Sequence, residues 1–598
     1  MAGLVSIIKN QNNDGAEYLG QMLSMWGGAC WKTIEPEALS REKDPMVIVP
    51  PGVEPGTDAI KSRLGEGAHI IFITPSRELL KELGIDYLIQ YGDPDRIGYI
   101  RQVRPLLGTF SWYAVPIVGR RMLSIEKHYS NPDHQAHLPA QARVWAYMYE
   151  MESQNIDRPA VWTLPVGGGK ITVFAYDLVE CFRDLRQGRP EFADWRPAYD
   201  DICRASHLVG PDWETEYHGA QLPLADFHPM LLVRLIEQDL PVPLPRFWQL
   251  PGFAQSAILV SGDEDNGDPQ CNEEICSFLD TVDGHIVIYI VIQGTHTTPE
   301  QIRRWMSRGH SFSVHPYPVI AGESGMAPSG DVLKKLEACV EEFKKRYQLP
   351  IRTIRNHRVF WKGYTDVPRL WERLGIEMDC DYNREGSLAG RSLAGCFLTP
   401  PGALPVPFLD EKFARINVLQ QPCHFGDGSI NAEGTREERY TADYFETFAE
   451  SLIHHALKPL GIPFSVCFHP INYHKYAQEA EQRFLRKAKS LGAILISDYD
   501  WLDFWQMRAT WELTGYRHEN SKVAFTFSGT APSKNLVISL PAAYNDRERG
   551  EITVNGKNAE TVPVGHFGME RILVGLPDGH NNIEMNIQLR KESEHGGH

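Results

Sequence analysis

Residues 258–265 read ILVSGDED, an apolar run that leads directly into three consecutive acidic residues. The apolar run predicts a buried strand, so Asp263, Glu264 and Asp265 follow at its carboxyl end. Adjacent carboxylates repel one another unless a cation or a proton offsets their charge. These residues alone leave two alternatives open, a metal site at the end of a strand and a solvated acidic loop.

Histidines stand at the ends of later predicted strands. His315, His357 and His469 each come at the end of a short apolar or β-branched run. A single histidine is more often structural than catalytic, but catalytic groups of α/β barrels gather where the carboxyl ends of the strands meet. We therefore expect these three histidines to share one site with the acidic run.

The order of predicted elements divides the chain into three regions and a tail. Strands alternate with helices in residues 1–245, which predicts an α/β domain with a parallel sheet. Strand–helix units repeat through residues 246–515, which predicts a barrel-like α/β domain. Residues 516–592 have no helical pattern and contain the hairpin-turn signal Asn555-Gly556, so we expect a small β-sandwich there. Residues 593–598 form the tail.

The composition excludes several classes of protein. Of the 598 residues, 42% are hydrophobic and 23% are charged, as in a globular chain rather than a disordered one. The net charge is −17 and there is no long basic run, so we expect no nucleic acid and no membrane as a partner. No apolar stretch approaches the ~18 residues that suggest a membrane span, and the first residues lack the pattern of a secretory signal.

The ten cysteines are scattered along the chain without a Cys-x-x-Cys pair. This usage is typical of free thiols in a reducing compartment, so we expect a cytoplasmic protein. The sequence leaves open whether the protein forms a homo-oligomer.

The motifs of the central region resemble those of a known enzyme family. The paired acids at 261–265, Gly309-His310 with His315, and Phe468-His469-Pro470 are similar to motifs of the polysaccharide deacetylase superfamily. Its members are the carbohydrate esterase family 4-like proteins with the NodB homology fold. The resemblance implies a distorted (β/α)7 barrel, flanked here by the N-terminal α/β domain and the C-terminal β-sandwich.

The resemblance also implies a metal site. The second motif of the family carries a His-x-x-x-His pair, and the position that should pair with His315 is Val319 here. We expect His357 to replace the lost ligand, so that the ligands are Asp265, His315 and His357. Two histidines and one carboxylate leave positions open for water and substrate, as in catalytic zinc sites. The implied cofactor is therefore a divalent metal ion, and Zn²⁺ is the expected one.

Catalytic roles follow from the same resemblance. Asp263 is expected to act as the general base and His469 as the general acid that protonates the leaving amine. Arg355 or Arg358, both near the third motif, would hold Asp263 ionised and correctly aimed. Because one insertion relative to the family blurs the alignment, Glu264 stays an alternative for either aspartate's role.

The N-terminal region carries a second resemblance. The helix start near Ala16, the strand that ends at Pro50 and the Gly-Gly-Gly-Lys run before residues 171–176 are similar to the class I glutamine-amidotransferase-like fold. They are closer to its non-catalytic relatives attached to sugar-processing enzymes. Cys30 follows a predicted helix and not a strand-to-helix turn, so we expect no amidotransferase nucleophile there.

The chain is therefore expected to be a metal-dependent hydrolase that removes N-acetyl or O-acetyl groups from a sugar or polysaccharide. One alternative is a catalytically inactive glycan-binding or scaffolding protein on a deacetylase-like barrel. Another is a glycosidase, which would need two carboxylates that flank the scissile bond. Metal content separates the first alternative from an enzyme, and release of acetate rather than reducing sugar separates the second.

Overall fold

The computed structural model of the chain describes residues 4–591 apart from several short ranges. The predicted tail at 593–598 and the Val319 position lie outside the described residues. The ranges between 4 and 591 that are not described are 10–14, 29, 86–87, 92–97, 103, 105, 109, 111–114, 118–120, 125–137, 150–157, 197–201, 210–221, 266, 319–330, 383–401, 428–440, 520 and 545–546.

The N-terminal region contains a mixed sheet. Its helices are Gly15–Met25, Thr57–Gly65, Arg77–Glu82, Leu178–Gln187 and Phe227–Asp239, with short 3-10 turns at Pro36–Arg41, Pro190–Phe192, Ala205–Val209 and Leu224–Asp226. Its strands are β1 (Val5–Ile8), β2 (Trp31–Ile34), β3 (Met46–Val49), β4 (His69–Ile73), β5 (Leu88–Tyr91), β6 (Gly98–Gln102), β7 (Val115–Ile117), β8 (Arg121–Ser124), β9 (Arg143–Tyr149), β10 (Arg158–Val166) and β11 (Gly169–Phe174).

The parallel sheet expected for this region is present as one half of a larger sheet. The order is β2-β1-β3-β4-β11-β10-β9-β6-β7, and the pairings from β2 to β11 are parallel. From β11 onward the pairings are antiparallel, and β10 and β11 form a hairpin. The Gly-Gly-Gly-Lys run supplies the turn of that hairpin at Gly167-Gly168, where Gly167 has a φ of 60°, and its last two residues begin β11. Alternation of strands and helices predicted the parallel half but could not reveal the direction of the later strands.

The central region places short parallel strands next to one another. Its strands, with the short β12 before them, are β12 (Arg246–Phe247), β13 (Ala257–Glu264), β14 (Val287–Ile290), β15 (Ser311–Val314), β16 (Thr353–Ile354), β17 (Met378–Asp379), β18 (Val406–Leu409), β19 (Arg415–Gln420), β20 (Phe425–Gly426), β21 (Pro463–Phe468) and β22 (Ile494–Ile496). Its helical segments are Pro269–Asp280, Pro299–Met306, Val332–Tyr347, His357–Val359, Asp366–Leu374, Ala442–Leu452, Ile453–Leu457, Lys458–Leu460, Pro470–Asn472, Tyr473–Ala477, Gln478–Ser490 and Asp498–Ala509.

These strands form two sheets. One has the order β15-β14-β13-β21-β20, with β22 also on β13, and all its pairings are parallel. The other has the order β16-β17-β19-β18, in which β18 is antiparallel. In a closed barrel β15 and β16 would pair as strands. The described residues instead make a side-chain contact there, in which the Ser313 hydroxyl donates to the Thr353 carbonyl at 2.5 Å. The described residues thus do not confirm a closed (β/α)7 barrel.

The strands of the C-terminal region pair antiparallel. Its strands are β23 (Trp511–Glu519), β24 (Lys522–Gly529), β25 (Val537–Pro541), β26 (Ala543–Tyr544), β27 (Arg547–Val554), β28 (Lys557–Asn558), β29 (Thr561–His566), β30 (Met569–Gly575) and β31 (Asn582–Lys591). They form one sheet β23-β24-β31-β27-β26, with β28 on β27, and another with the order β12-β25-β30-β29. A β-sandwich is not confirmed. Because β12 belongs to the second sheet, this sheet also includes residues Arg246–Phe247 from the start of the central region.

Buried contacts join the regions. Arg186 of the N-terminal region is fully buried, donates to Asp226 at 2.6 Å and also donates to the carbonyl of Leu404 at 2.7 Å. The Asp226 carboxylate in turn accepts from the backbone N–H groups of Ala403 and Leu404. The described cysteines are all free thiols. None of the described helices combines the length and apolar character needed to cross a membrane.

Candidate active site

The acidic run lies at the carboxyl end of strand β13, as the sequence predicts. Parallel pairing aligns Asp263 with Tyr289 of β14 and Gly262 with Phe468 of β21, so the carboxyl ends of these strands meet at one edge. Side chains of a strand point to alternate faces. Asp263 and Asp265 therefore share a side, and Glu264 points to the other.

Glu264 lies outside the site. Its buried carboxylate accepts hydrogen bonds from the Thr295 hydroxyl and the Asn272 amide, each at 2.5 Å, and from Thr297. Burial raises the pKa of this carboxyl group, and these donors oppose the rise. With its oxygens engaged on the far face of β13, Glu264 cannot exchange roles with Asp263 or Asp265.

The three residues expected to bind metal are brought together. One donor atom from each of Asp265, His315 and His357 lies within 4.8 Å of the other two. Oδ1 of Asp265 is 3.6 Å from Nε2 of His315 and 3.6 Å from Nε2 of His357. These separations are too long for hydrogen bonds. They are close to the roughly 3.3 Å that separates donor atoms bound to one ion at about 2 Å.

The polar atoms of this group fit a cation. Oδ1 of Asp265 and Nδ1 of His357 are buried and have no hydrogen-bond partner among the described residues. A buried polar atom without a partner costs free energy, and an ion bound to the carboxylate oxygen removes that cost. Nδ1 of His315 forms a hydrogen bond with the Arg355 carbonyl at 2.7 Å. This leaves Nε2 to face the two aspartates. Burial lowers the pKa of His315 and so favours the neutral imidazole that metal binding requires.

Asp263 is held by an arginine. Nη1 of Arg355 donates to its Oδ1 at 2.9 Å, and Nη2 donates to the Ser261 hydroxyl at 2.8 Å. Burial alone would raise the pKa of Asp263, but the neighbouring His315, Arg355 and His469, together with the hydrogen bond from Cys467, outweigh burial and hold it below its usual range. Arg358, the other candidate for this role, is exposed, has a φ of 54° and makes no contact with Asp263. The geometry therefore favours Arg355 over Arg358.

His469 is oriented by the carboxylate of Asp427. Asp427 is fully buried and accepts from the backbone N–H of His469 at 2.7 Å and from its Nδ1 at 2.6 Å. Nε2 of His469 then faces Oδ2 of Asp265 at 3.7 Å. Burial lowers the pKa of His469, but Asp427 reverses the effect and the pKa is raised to about 10.

A thiol also reaches this site. Sγ of Cys467 donates to Oδ2 of Asp263 at 3.1 Å, so the oxygen that Arg355 does not bind carries a thiol contact. One donor atom from each of Asp263, Cys467 and His469 lies within 4.8 Å of the others, which makes a second group of metal-ligand type. A hydrogen bond with Cys423 and burial raise the pKa of Cys467 well above its ordinary value.

Several other histidines and cysteines lie away from this site. Nε2 of His310 contacts Asp280 at 3.2 Å on the neighbouring helix. His424 is buried between the Gly402 carbonyl and the backbone N–H of Ser465, which is a structural role. Cys30 is buried, and burial raises its pKa to about 12, so its thiol is not an activated nucleophile.

Comparison with known proteins gives similarity in structure alone. No family model matches the sequence, and no curated protein matches it. The chain is similar to the crystal structure of Agd3, a novel carbohydrate deacetylase, with 11% identity, a TM-score of 0.41 and 98% of each chain covered. It is also similar to a Mycobacterium smegmatis protein assigned as a polysaccharide deacetylase, with 13% identity, a TM-score of 0.32, and 45% of this chain and 97% of that chain covered. For PuuE allantoinase the values are 15% identity, a TM-score of 0.33, and 43% and 92% of the two chains. The amidotransferase-like resemblance of residues 1–245 stays a prediction.

Proposed function

We propose that the chain is a metal-dependent hydrolase that removes acetyl groups from carbohydrate, with Asp265, His315 and His357 as the metal ligands. The observation that carries the proposal is one shared cluster. In this cluster the ligand atoms lie next to an aspartate that Arg355 binds and a histidine that Asp427 binds. Of the metals that suit two imidazoles and a carboxylate, Zn²⁺ is the expected one. A divalent ion held there would polarise the acetyl carbonyl and make nearby water more acidic.

The residues on either side supply the proton transfers. Oδ2 of Asp263 takes a proton from the water that attacks the carbonyl carbon, because Oδ1 is engaged by Arg355. Arg355 keeps that carboxylate ionised before the transfer. Nε2 of His469 then gives its proton to the leaving nitrogen or oxygen, and Asp427 stabilises the imidazolium by its contact at Nδ1. Base and acid thus each offer a donor atom within 4.8 Å of the other, next to the ligand cluster.

Acetylated carbohydrate is the substrate class that the sequence motifs imply. The choice between N-acetyl and O-acetyl groups depends on how much the leaving group needs protonation. An amide nitrogen is a poor leaving group without a proton, so the preorganised pair of His469 and Asp427 favours N-acetyl substrates.

Metal analysis and acetate release test the proposal together. Purified protein loaded with Zn²⁺ should retain about one tightly bound equivalent and release acetate from a panel of N- and O-acetylated oligosaccharides without forming new reducing ends. Asp263→Asn should keep the metal and lose at least about 100-fold in rate, as expected for loss of a general base. Metal binding without acetate release from any member of the panel would favour the non-enzymatic alternative. New reducing ends would favour a glycosidase.

A further inference from the structure

The second group of donor atoms has a different chemical character from the first. Asp263, Cys467 and His469 offer a carboxylate oxygen, a sulfur and an imidazole nitrogen within 4.8 Å of one another. The other atoms of these residues are engaged, since Arg355 binds Oδ1 of Asp263 and Asp427 binds Nδ1 of His469. Oδ2, Sγ and Nε2 are therefore the atoms that face a common point. Sulfur ligands select for thiophilic ions such as Zn²⁺ and Co²⁺ over Mg²⁺.

We propose that Asp263, Cys467 and His469 form a second, inhibitory cation site, which a thiophilic divalent ion occupies after the first metal is bound. On binding, metal bonds form to Sγ of Cys467 and Nε2 of His469, the S–H bond of Cys467 and the Nε2–H bond of His469 break, and both protons pass to solvent. The hydrogen bond from Cys467 to Oδ2 of Asp263 is lost in the same step. No oxidant or reductant is required, because neither the sulfur nor the ion changes oxidation state.

Asp265 lets two ions lie close together. Its Oδ1 is 3.6 Å from the nitrogens of His315 and His357, and its Oδ2 is 3.7 Å from Nε2 of His469. The two oxygens of this carboxylate therefore face the two donor groups separately. Paired metal sites with ions roughly 3.5–4 Å apart occur in hydrolases, so two divalent ions at this separation are physically reasonable. The ionised thiol and Asp263 supply further negative charge to the second position.

Inhibition follows from the atoms that the second ion takes, and this part rests on the proposed function. An ion on Oδ2 of Asp263 occupies the oxygen that would accept the proton from water. The same ion on Nε2 of His469 displaces the proton that the leaving group needs. Base and acid are therefore blocked together, while the ligands Asp265, His315 and His357 keep the first metal.

Cobalt titration tests the site without use of activity. Metal-free protein is titrated with Co²⁺, and absorption is followed in the near ultraviolet, where thiolate-to-cobalt charge transfer appears. We expect this absorption to grow with the second equivalent and not with the first. Cys467→Ser should abolish it, whereas Cys271→Ser, a buried thiol on helix Pro269–Asp280, should retain it. Absorption that appears with the first equivalent, or none with the second, would overturn the proposal.

The neighbouring thiol of Cys423 must be tested with a variant of its own. Cys423 forms a hydrogen bond with Cys467, so it is the other thiol that could supply the sulfur. Cys423→Ser should leave the charge-transfer band in place. If the band instead survives in Cys467→Ser and disappears in Cys423→Ser, the assignment is wrong.

Acetate release supplies the second readout. Protein with one equivalent of Zn²⁺ receives further Zn²⁺ or Mg²⁺, and each variant is compared with its own rate at one equivalent. We expect excess Zn²⁺ to lower the rate at least tenfold, excess Mg²⁺ to leave it unchanged, and Cys467→Ser to need at least tenfold more Zn²⁺ for the same loss. Equal inhibition of both proteins would contradict the proposal. If no acetate is released at one equivalent, the proposed function fails, and the cobalt spectra still decide whether the second site exists.

Discussion

Replacement of Asp427 by asparagine should weaken the proposed general acid, His469, while leaving the metal ligands unchanged. Asp427 makes two charge-assisted contacts with His469, at 2.7 Å to the backbone N–H and 2.6 Å to Nδ1. An asparagine oxygen can accept from one of these donors, but its NH₂ group then faces the other. In Asp427→Asn the imidazolium therefore loses its negative partner, while the side chain keeps nearly the same volume in a fully buried position.

The size of the effect follows from that contact. A hydrogen bond between charged groups is worth about 1.5–3 kcal/mol, so its loss lowers the stability of the imidazolium by that amount. At about 1.4 kcal/mol per tenfold change, the rate of amide hydrolysis should fall by roughly 10- to 150-fold. The loss should grow with rising pH, because the pKa of His469, raised to about 10 with Asp427 present, moves back toward its ordinary value.

The assay compares two leaving groups. An N-acetyl sugar needs protonation of its nitrogen, whereas an activated aryl acetate expels a stable phenolate without it. Asp427→Asn should therefore lose 10- to 150-fold on the amide and less than about threefold on the aryl ester, with metal content unchanged. Equal losses on both substrates would mean that Asp427 supports the fold or the metal and not the acid. That result would refute the role given to the pair of Asp427 and His469.

The remaining predictions concern the metal, the core and pH. His357→Ala should weaken zinc binding by about 100-fold or more in a competition titration with a chromophoric chelator. His310→Ala, which removes a contact with Asp280 of the helix Pro269–Asp280, should leave zinc binding within threefold. Arg186→Met should cost about 3–5 kcal/mol in urea unfolding because it leaves Asp226 buried without its partner, and a cost below 1 kcal/mol would contradict the reasoning. Burial lowers the pKa of His424 to about 3, so this group binds its proton more readily in the unfolded chain. The stability that His424 contributes is complete above pH ~6.5. It falls by about 1.4 kcal/mol per pH unit as the pH drops from there toward 3. In His424→Gln the unfolding free energy should fall less steeply over the same pH range.

The parts of the fold that follow from local pattern were predictable. The apolar run before Asp263 forms a strand, and Thr298 with Pro299 begins the helix Pro299–Met306 through a capping box. The turn at Asn555-Gly556 lies between β27 and β28, where both residues have positive φ. Each of these features depends on a few adjacent residues, so the sequence alone contains the necessary information.

Pairing between distant strands was harder to predict. Strands β16, β17 and β20 are two residues long, which is too short for a hydrophobic period to be recognised. The direction of the strands from β6 to β10 depends on which neighbour each strand finds, and alternation along the chain does not contain that information. The same limit explains why closure of the central sheets could not be judged from repeated strand–helix units.

Asp427 and Arg355 show this limit within the site. Asp427 reaches His469 because β20 lies parallel to β21, with Phe425 opposite Val466, a register that no local motif records. A signal was present, since Gly426-Asp427 repeats the Gly262-Asp263 pair. Arg355 and Arg358 were equivalent in sequence, but the left-handed turn at Arg358 separates them and leaves it exposed.

The contacts of each site residue predict whether its substitution affects metal binding, stability or both. One atom of Asp263 contacts the buried Arg355, and one atom of His469 contacts the buried Asp427. Loss of Asp263 or His469 therefore disturbs the packing beneath the site as well as its chemistry. His357 is different, because its Nδ1 has no partner among the described residues and its Nε2 faces Asp265. Its substitution removes a ligand but few bonds that support the fold. A loss of zinc without loss of stability at this position is therefore the clearest sign that the cluster exists to hold an ion and not to brace the strands.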